Sequence, residues 1–474
     1  MITLTEAIEV PRAIEECFRY VADFRTTVEW DATATEAKKT TAGPVGLGSQ
    51  FQLRCKAGPT SIAINYEITG YTPWQSLELM GSSSLFQIRD LITFDDLGDQ
   101  RTRITYCAEF TYRWGLERLA KMGEAGLRKM GRASMAGLKR ALMDDNPTPT
   151  PSGQNIKADQ HLPSALACFT RHGYRKGRSR WAPMSTDMSG KRVLITGATT
   201  GLGFAAAQAL LEAQADLTLV IRDPTKVESL SERLFQASGR RPEAIELADL
   251  SLLADVDTLC DRLLQYGKPI DVLINNAGAL FNDHEETCEG FERSLALLLL
   301  SPWRLTERLH GLLAHHDHAA RVINVVSGGM YTQKLRCDAL HMTRDGYRGA
   351  VAYARAKRAL TVLTEQWAER WRADNIVVNS MHPGWADTPG VQSALPLFRS
   401  ITRTVLRSPE EGADTIVWLA RAREADQVSG KLFLDREPRP THLRAGTREE
   451  PEERAQLIPW LEQTVAHLDR AETA

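Results

Sequence analysis

The stretch KRVLITGATTGLG, residues 191–203, decides the fold of the larger part of this chain. Residues 192–195 form a short apolar run typical of a buried strand, and an apolar helix at 204–213 follows the glycines. A glycine turn between a strand and a helix N-terminus presents backbone N–H groups, which together with the helix dipole attract a phosphate. The glycines also let the phosphate approach the backbone closely. The stretch therefore predicts a phosphate-binding turn.

Six further signals follow this turn in order along the chain. They are a strand at 217–221 ended by Arg222, Asp249 and Leu250 after a third strand, NNAG at 275–278 after a fourth, Ser327 at the end of a fifth, YARAK at 353–357, and HPG at 382–384 after a sixth. Apolar strands that alternate with helices are typical of a parallel sheet covered on both faces. The pattern predicts an α/β Rossmann-type, doubly wound parallel sheet.

The spacing T-G-x-x-x-G-x-G at 196–203, taken with these six signals, resembles the short-chain dehydrogenase/reductases. Three longer stretches, FT-x-x-GY at 169–174, VSGGM at 326–330 and MHPGWADTPG at 381–390, resemble the member-twelve branch of that family. That branch is related to retinol-dehydrogenase-like enzymes. The resemblance implies a reductase domain at 189–442, with 163–188 as its N-terminal extension.

The same resemblance implies a hydride transfer between a nicotinamide cofactor and the CH–OH group of an alcohol or its carbonyl. The implied catalytic residues are Ser327, Tyr353 and Lys357. The implied cofactor-binding residues are Gly197, Thr199, Thr200, Gly201, Leu202, Gly203, Arg222, Asp249, Leu250, Asn276, Ala277, Gly278, Tyr353, Lys357, Pro383, Gly384 and Thr388. No metal site is expected.

Tyr353 and Lys357 are four residues apart, so on a helix they share one face. A cation beside a phenol favours the phenolate, and we expect the lysine, with an oxidised nicotinamide, to lower the pKa of Tyr353. The phenol then exchanges a proton with the substrate oxygen near neutral pH. Ser327 is expected to donate a hydrogen bond to that same oxygen.

The end of the second strand bears on the choice of cofactor. NAD-dependent proteins usually carry an acidic residue there, which binds the ribose 2′-hydroxyl. Here Ile221 takes that place and Arg222 follows, so a 2′-phosphate is favoured, with Thr199 as a further contact. We therefore expect NADP. Asp223 leaves NAD open.

Leu298 stands where the family usually has an asparagine that holds a water next to the catalytic lysine. Ser294 and Ser301 lie four residues before it and three after it, on the same helical face, and are candidates to replace that asparagine. Substitution of both by alanine is expected to change the pH–rate profile. If neither replaces it, proton exchange is impaired.

Residues 1–146 show an opening strand, a helix after Pro11, several strands separated by turns, and a closing amphipathic stretch at about 115–142. This order, with Trp30 and the glycine-rich turn at 43–48, resembles the α+β helix-grip fold of START-like, polyketide cyclase-type (SRPBCC) domains. The resemblance implies an apolar cavity. Seven strand aromatics are candidates to line it or to fill the core: Phe51, Tyr66, Phe86, Phe94, Tyr106, Phe110 and Tyr112. No acid–base set is visible, so we interpret this domain as a binding module.

Three remaining segments complete the domain organisation. Alternating prolines predict an extended linker at 147–162. The tail at 443–474 predicts a short amphipathic helix that docks on the body or on another subunit. A basic cluster at 171–180 is interpreted as a solvated helix end.

Composition excludes several classes of function. The 474 residues carry 58 Lys and Arg against 60 Asp and Glu, a net charge of -2, so no global field attracts nucleic acid. No apolar run is long enough for an integral membrane segment, and the N-terminus does not have the pattern of a signal peptide. Seven scattered cysteines, with no C-x-x-C pair, predict neither disulfides nor zinc. A cytoplasmic location fits best.

The segment after Thr388, about 389–407, is expected to set the substrate. Its apolar residues are Val391, Leu395, Leu397, Phe398, Ile401 and Val405. They favour a lipophilic alcohol or carbonyl compound, although a helix that packs on its own core is an equal alternative. The sequence leaves open a non-catalytic nucleotide-binding sensor or lipid-binding protein that retains the dinucleotide site. It also leaves open whether the chain forms a homo-oligomer.

Overall fold

The computed structural model describes residues 2–31, 33–41, 45–57, 60–99, 101–112, 124–143, 149–178, 181, 184, 188–314, 319–388, 390, 392, 399–400 and 402–471. The chain divides into two units, of which the first is Met1–Pro147 with Trp181–Asp187 and the second is Thr148–Arg180 with Met188–Ala474. Each unit has its own hydrophobic core.

The first unit is a seven-stranded antiparallel sheet with helices. Its strands are β1 (Ile2–Val10), β2 (Ala34–Lys39), β3 (Gln50–Ala57), β4 (Thr60–Thr72), β5 (Ser76–Ser82), β6 (Phe86–Asp96) and β7 (Thr102–Tyr112), in the order β1-β7-β6-β5-β4-β3-β2. Its helices are α1 (Ile14–Ala22), α2 (Thr27–Trp30) and α3 (Glu124–Leu142).

Alternating burial along the strands explains this sheet. In β5, for example, Leu77 and Leu79 are fully buried while Met80 is exposed, as expected for a sheet with one face on the core. Phe18 of α1 and Leu138 of α3 pack into the same core, and both are fully buried. The predicted α+β helix-grip fold is confirmed.

One strand of this unit was not predicted from the sequence, and part of one predicted turn lies outside the described residues. The strand β2 was not predicted, because its sequence, ATEAKK, is rich in residues that are depleted in strands. The predicted turn at 43–48 is described only from Val45 onward, because Gly43 and Pro44 lie outside the described residues.

The second unit is built on an eight-stranded sheet. Its strands are β8 (Arg192–Thr196), β9 (Asp216–Ile221), β10 (Ala244–Leu247), β11 (Val272–Asn275), β12 (Ala320–Val325), β13 (Ile376–Met381), β14 (Leu432–Leu434) and β15 (Glu437–Arg439), in the order β10-β9-β8-β11-β12-β13-β14-β15. All neighbours pair in parallel except β14 and β15.

Helices connect and flank these strands. They are α4 (Gly153–Asp159), α5 (Leu162–Ala167), α6 (Arg171–Arg178), α7 (Gly201–Glu212), α8 (Val227–Ser238), α9 (Leu253–Tyr266), α10 (Arg293–Leu295), α11 (Ser301–Arg308), α12 (His310–Leu313), α13 (Gly349–Arg370), α14 (Pro409–Arg421) and α15 (Pro451–Ala471). A π-helical segment, Ala296–Leu300, lies between α10 and α11. Every residue of β11 and β12 is buried, as parallel strands covered on both faces require. The predicted Rossmann-type fold is confirmed.

The segment expected to be an extended linker, 147–162, is partly helical. Ser152 caps α4 by accepting a hydrogen bond from the Asn155 N–H at 3.3 Å. The Glu437 carboxylate accepts hydrogen bonds from the Ser152 N–H at 2.7 Å and from Asn155 Nδ2 at 2.8 Å. The expectation of an extended chain is therefore wrong for 153–159, because the contacts with Glu437 stabilise a helix that the prolines alone do not predict.

Of the extension before β8, residues 163–180 belong to the second unit, where a buried arginine binds them. Arg407 donates to the carbonyl oxygens of Cys168 at 2.6 Å and Phe169 at 3.0 Å, and pairs with Asp435 at 2.6 Å. The tail helix α15 docks on the body of its own unit, where Leu457 is fully buried together with Leu461 and Val465.

None of the helices in the described ranges is both long and apolar enough to cross a membrane. Within those same ranges, His, Cys, Asp and Glu side chains form no cluster of three that could hold a metal ion.

Candidate active site

The glycine turn predicted from the sequence lies between β8 and α7. Gly197 has a φ of +71°, and a Cβ atom there would lie 2.7 Å from the Ala277 Cα. A Cβ atom at Gly203 would lie 2.3 Å from the Gly197 carbonyl oxygen. Thr200, at the N-cap of α7, makes no side-chain capping bond. The turn is thus tight, and the helix begins with N–H groups that suit an anion.

Asn276 holds this turn in place. Its Nδ2 donates to the carbonyl oxygens of Thr196 at 2.8 Å and Gly197 at 3.0 Å. The Thr196 hydroxyl in turn accepts hydrogen bonds from the N–H groups of Asn276 and Ala277, both at 3.0 Å. The amide predicted to bind the cofactor is therefore used to tie the ends of β8 and β11 together, although Asn276 also lines the cavity beside the turn.

One cavity of about 780 Å³ brings all the predicted site residues together. The predicted residues in its wall are Gly197, Thr199, Thr200, Gly201, Leu202, Gly203, Arg222, Asp249, Leu250, Asn276, Ala277, Gly278, Ser327, Tyr353, Lys357, Pro383, Gly384 and Thr388. The carboxyl ends of parallel strands meet at one edge of the sheet, and ligands of such folds bind there.

The three residues implied in catalysis reach this cavity from two neighbouring elements. Ser327 follows β12, and its hydroxyl accepts a hydrogen bond from the Gly329 N–H at 3.3 Å. Tyr353 and Lys357 lie one turn apart on α13, and the Lys357 Nζ is 6.0 Å from the centre of the Tyr353 ring. The same Nζ donates to the Val325 carbonyl oxygen at 2.7 Å. A hydroxyl, a phenol and an amine therefore share one site.

The pKa of the Tyr353 phenol differs from the sequence expectation. Burial raises it, and a hydrogen bond with Ser327 offsets this only in part. Burial also lowers the pKa of Lys357 to about 7, so near neutral pH the amine carries only part of its charge. For the groups of the protein alone, burial therefore has the larger effect on this pKa. The lowering expected with an oxidised nicotinamide beside Lys357 stays a prediction.

Basic and acidic side chains lie together in the part of the wall around Arg222. The Arg222 Nη1 lies 3.8 Å from the Asp249 carboxylate, whose oxygen accepts from the Ser251 N–H at 2.9 Å. A smaller adjoining cavity of about 320 Å³ is lined by Thr199, Arg222, Asp223 and Lys226. Sequence reasoning missed Lys226, whose position four residues after Arg222 was the available signal.

The carboxylate of Asp223 is engaged within its own turn. It accepts hydrogen bonds from the Thr225 N–H at 3.0 Å and from the Thr225 hydroxyl at 2.6 Å, and these bonds lower the pKa of Asp223. This residue, which left NAD open in the sequence, therefore caps the turn after β9.

Leu298 lies in the π-helical segment behind the cavity wall and is fully buried. If Gly278 carried a Cβ atom, that atom would lie 3.1 Å from the Leu298 Cδ2 and 3.8 Å from the Lys357 Nζ. Ser294, one of the two proposed substitutes for the family asparagine, makes a 3.0 Å hydrogen bond with the hydroxyl of Tyr347. That bond engages Ser294 elsewhere, and Ser301 is buried at the start of α11.

Several cavity residues were not predicted. Leu280, Phe281, Leu297 and Trp385 add apolar wall, and the Arg293 guanidinium lies 4.6 Å from the centre of the Phe281 ring. Of the predicted substrate segment, Val391, Leu395, Leu397, Phe398 and Ile401 lie outside the described residues. Gly390 lines the cavity, and Val405 accepts a hydrogen bond from the Arg171 N–H at 2.8 Å.

The first unit holds a second cavity, of about 440 Å³, between its sheet and α3. Five of the seven predicted aromatics line it: Tyr66, Phe86, Tyr106, Phe110 and Tyr112. The other two fill the core instead, because Phe51 packs against Phe24 and Phe94 packs against Phe18.

Comparison with known proteins agrees with both units. Residues 191–396 match the family model for short chain dehydrogenase, and residues 1–143 match the model for polyketide cyclase / dehydrase and lipid transport. Dehydrogenase/reductase SDR family member 12 from Bos taurus is 38% identical over 299 residues, which cover 62% of this chain and 93% of that protein. The chain belongs to the short-chain dehydrogenase/reductase family.

A further member of this family shows similarity at a lower level. Retinol dehydrogenase 14 from Mus musculus is 34% identical over 287 residues, which cover 57% of this chain and 85% of the relative. The similarity to the member-twelve branch that the sequence motifs predict is therefore confirmed. The helix-grip domain that precedes the reductase is confirmed as a polyketide cyclase-type module.

Proposed function

We propose that the second unit is an NADP-dependent oxidoreductase that acts on the alcohol or carbonyl group of a lipophilic substrate. The observation that carries this proposal is the convergence of Ser327, Tyr353 and Lys357 on the cavity that the glycine turn also lines. The tight turn and the uncapped N-terminus of α7 fit the pyrophosphate of a dinucleotide. When bound, the nicotinamide supplies the hydride acceptor or donor.

The side chains of the protein handle the proton. The Tyr353 hydroxyl donates its proton to a substrate carbonyl oxygen during reduction and regains it during oxidation. Ser327 hydrogen-bonds the same oxygen and orients it. Lys357 is held by the Val325 carbonyl oxygen, where its positive charge favours the phenolate and where a pKa near 7 allows it to pass the proton onward.

The preference for NADP rests on two basic side chains in the wall of the small adjoining cavity. Arg222 and Lys226 line the small cavity beside Thr199, and Asp223 is engaged by Thr225. A guanidinium and an amine suit a 2′-phosphate, whereas an available carboxylate would favour the 2′-hydroxyl of NAD.

A lipophilic substrate is favoured by the apolar wall at Leu280, Phe281, Leu297 and Trp385. The name of the relative retinol dehydrogenase 14 points to the same class. We also propose that the first unit binds a hydrophobic ligand in its cavity, because aromatic and aliphatic side chains form most of the wall. Delivery of that ligand to the reductase remains part of this proposal.

Turnover of a defined panel tests the oxidoreductase. The full chain is mixed with NADPH and with all-trans-retinal, 2-acetylnaphthalene or a steroid ketone, and NADPH consumption is followed. Tyr353→Phe is expected to lower kcat by roughly 100-fold or more, the usual contribution of a general acid, with little change in NADPH affinity. Tyr266→Phe is the matched control, since Tyr266 is exposed and distant from the wall of the cavity.

The main alternative is a nucleotide-binding sensor without turnover, and Leu298 is the feature that favours it. A wild-type chain that binds NADPH but consumes none with any panel member would support the sensor. Equal rates for wild type and Tyr353→Phe would contradict the proposed chemistry.

A further inference from the structure

Strand β6 carries an acidic residue in an otherwise apolar row. Its inward positions are Phe86, Ile88, Asp90, Ile92 and Phe94, and Asp90 is fully buried. Sequence reasoning found no acid–base group in this domain, and the alternation at 86–94 was the signal that it missed. Burial of a carboxyl group without a compensating partner typically costs several kcal/mol of folding free energy, so the position of Asp90 needs an explanation.

Asp90 lies in the wall of the cavity of the first unit, and neither oxygen of its buried carboxyl group makes a hydrogen bond. The phenols of Tyr66 and Tyr106 lie close enough to affect its pKa but do not reach hydrogen-bond geometry. The paired strands bring these groups together, since Asp90 is opposite Ala108 on β7, two residues from Tyr106. Asp90 is therefore a buried polar side chain in a cavity wall, close to two phenols but without hydrogen-bond geometry to either.

A second unsatisfied group faces the same cavity. Thr27, on α2, is buried, and its hydroxyl has no hydrogen-bond partner. Thr27 also lines the cavity, and it lies on a helix whereas Asp90 lies on the sheet. Two independent elements, a helix and a strand, thus each present one unpartnered polar group to the same space.

Gly81 makes room for one of the neighbouring phenols. A Cβ atom at Gly81 would lie 2.6 Å from the Cε1 of Tyr66 and 2.4 Å from the Cγ2 of Ile88. The glycine on β5 therefore lets the Tyr66 ring lie flat on the sheet next to the cavity. Tyr66 and Asp90 therefore both belong to the wall of this cavity.

The charges around Asp90 indicate what it binds. Burial and the Asp31 carboxylate disfavour its ionised form and raise its pKa to about 7. The other titratable groups in the wall are Glu6, Cys55, Tyr66, Tyr106, Tyr112 and the exposed Lys56. A neutral carboxyl group donates a hydrogen bond, so a ligand with an acceptor oxygen satisfies it without carrying a charge into the cavity. A protonated amine would pair with the carboxylate but would have to lose its own hydration.

We propose that Asp90 and Thr27 form the polar anchor of this cavity and hydrogen-bond the carbonyl oxygen of an otherwise apolar ketone or aldehyde. This inference rests on the ligand-binding role proposed above for the first unit. It adds the chemical class of the ligand, which is also the class on which the second unit is proposed to act.

Three probes with one skeleton test the anchor on the full chain. They are 2-acetylnaphthalene, 2-ethylnaphthalene, which lacks the carbonyl group, and 1-(2-naphthyl)ethylamine, which carries a cation. Their dissociation constants are measured by equilibrium dialysis with naphthalene fluorescence. The ketone is expected to bind about tenfold more tightly than the hydrocarbon, the effect of one well-placed hydrogen bond to a buried group.

Substitutions at Asp90 separate the outcomes. Asp90→Leu is expected to abolish the preference for the ketone, whereas Asp90→Asn keeps it within about threefold because its amide still donates. Thr27→Val is expected to weaken binding of the ketone by a smaller factor than Asp90→Leu does. Asp95→Leu, on the exposed end of the same strand, is the control and should change nothing. Thermal unfolding of each variant checks that the unit still folds.

Each other result overturns a defined part of the argument. If the amine binds most tightly and Asp90→Asn loses as much as Asp90→Leu, the site recognises a cation and the ketone anchor is wrong. If ketone and hydrocarbon bind equally, or if both Asp90→Leu and Thr27→Val keep the preference, the anchor is wrong while ligand binding stands. If none of the three probes binds, the ligand-binding role of the first unit fails as well.

Discussion

At the scale of single residues, Asp90 should make the first unit less stable as pH rises. Its pKa is raised from 3.8 to about 7 in the folded chain, so between these values the folded state holds a proton that the unfolded state has lost. Stability is therefore highest below about pH 4 for this group and falls as pH rises through about 7, by roughly 4 kcal/mol for a shift of this size. This is the reverse of the usual behaviour of a paired carboxylate.

The measurement is the unfolding temperature of the full chain at about pH 8. Asp90→Asn and Asp90→Leu are expected to raise the unfolding temperature of the first unit and to flatten its dependence on pH. Asp95→Asn provides the comparison, since its side chain is exposed on the same strand. A lower unfolding temperature for both Asp90 variants would mean that the carboxyl group stabilises the native state through a partner.

Arg222 belongs to the same scale and reports on cofactor choice. Arg222→Ala is expected to weaken NADPH binding by about tenfold or more, the typical contribution of a hydrogen bond to a charged group, and to leave NADH binding almost unchanged. Dissociation constants for both nucleotides give the answer. Arg241→Ala is the control, because Arg241 pairs with Glu232 on the surface. An equal loss for both nucleotides would contradict a 2′-phosphate contact.

At the scale of elements, the strand, turn and helix at 192–212 place the phosphate site. Gly203→Ala would put a Cβ atom 2.3 Å from the Gly197 carbonyl oxygen and 2.5 Å from the Asn276 Nδ2. Overpacking of this kind typically costs about 1–3 kcal/mol, and here the strain falls on the turn itself. We expect NADPH affinity to fall by about tenfold or more while far-ultraviolet circular dichroism stays unchanged.

Gly311→Ala is the matched control for that substitution. A Cβ atom at Gly311 would meet nothing within 4 Å, and alanine favours a helix, so this variant should bind NADPH normally and be slightly more stable. If Gly203→Ala also binds NADPH normally, the turn does not set the phosphate site.

The elements also show what local sequence can predict. The turn at 197–203 was predictable because its glycines, its strand and its helix are neighbours in sequence, and all contribute to one site. Strand β2 was missed because its residues become a strand only through pairing with β3. The hydrogen bonds of Asn276 within the turn could not be predicted for the same reason, since they reach back about 80 residues to Thr196.

Packing explains the remaining differences between sequence and structure. The pattern F-x-I-x-D-x-I-x-F at 86–94 shows that Asp90 faces inward, but only the assembled sheet and helices show that it has no partner there. The raised pKa of Tyr353 likewise follows from burial by elements distant in sequence. The spacing of Tyr353 and Lys357 predicts their shared face and not the environment of that face.

At the scale of the whole molecule, two separate cores predict two unfolding transitions in calorimetry. Saturating NADPH should raise only the transition of the second unit, by about 2.7 kcal/mol of stability at a concentration 100 times its Kd. Asp90→Leu should move only the other transition. A single transition that both perturbations shift would show that the units unfold together.

The clamp formed by Arg407 and Asp435 has a practical consequence for anyone who divides this protein. Arg407 binds the backbone of Cys168 and Phe169, more than twenty residues before the first parallel strand, and Asp159 pairs with the buried Arg439. A reductase cut at the start of its glycine motif would deprive the buried Arg439 of its Asp159 partner and leave Arg407 with Asp435 but without the carbonyl oxygens of Cys168 and Phe169, and such a fragment is expected to aggregate. An excised reductase that behaves well in solution should therefore start at about residue 149, where the helical extension is retained entire.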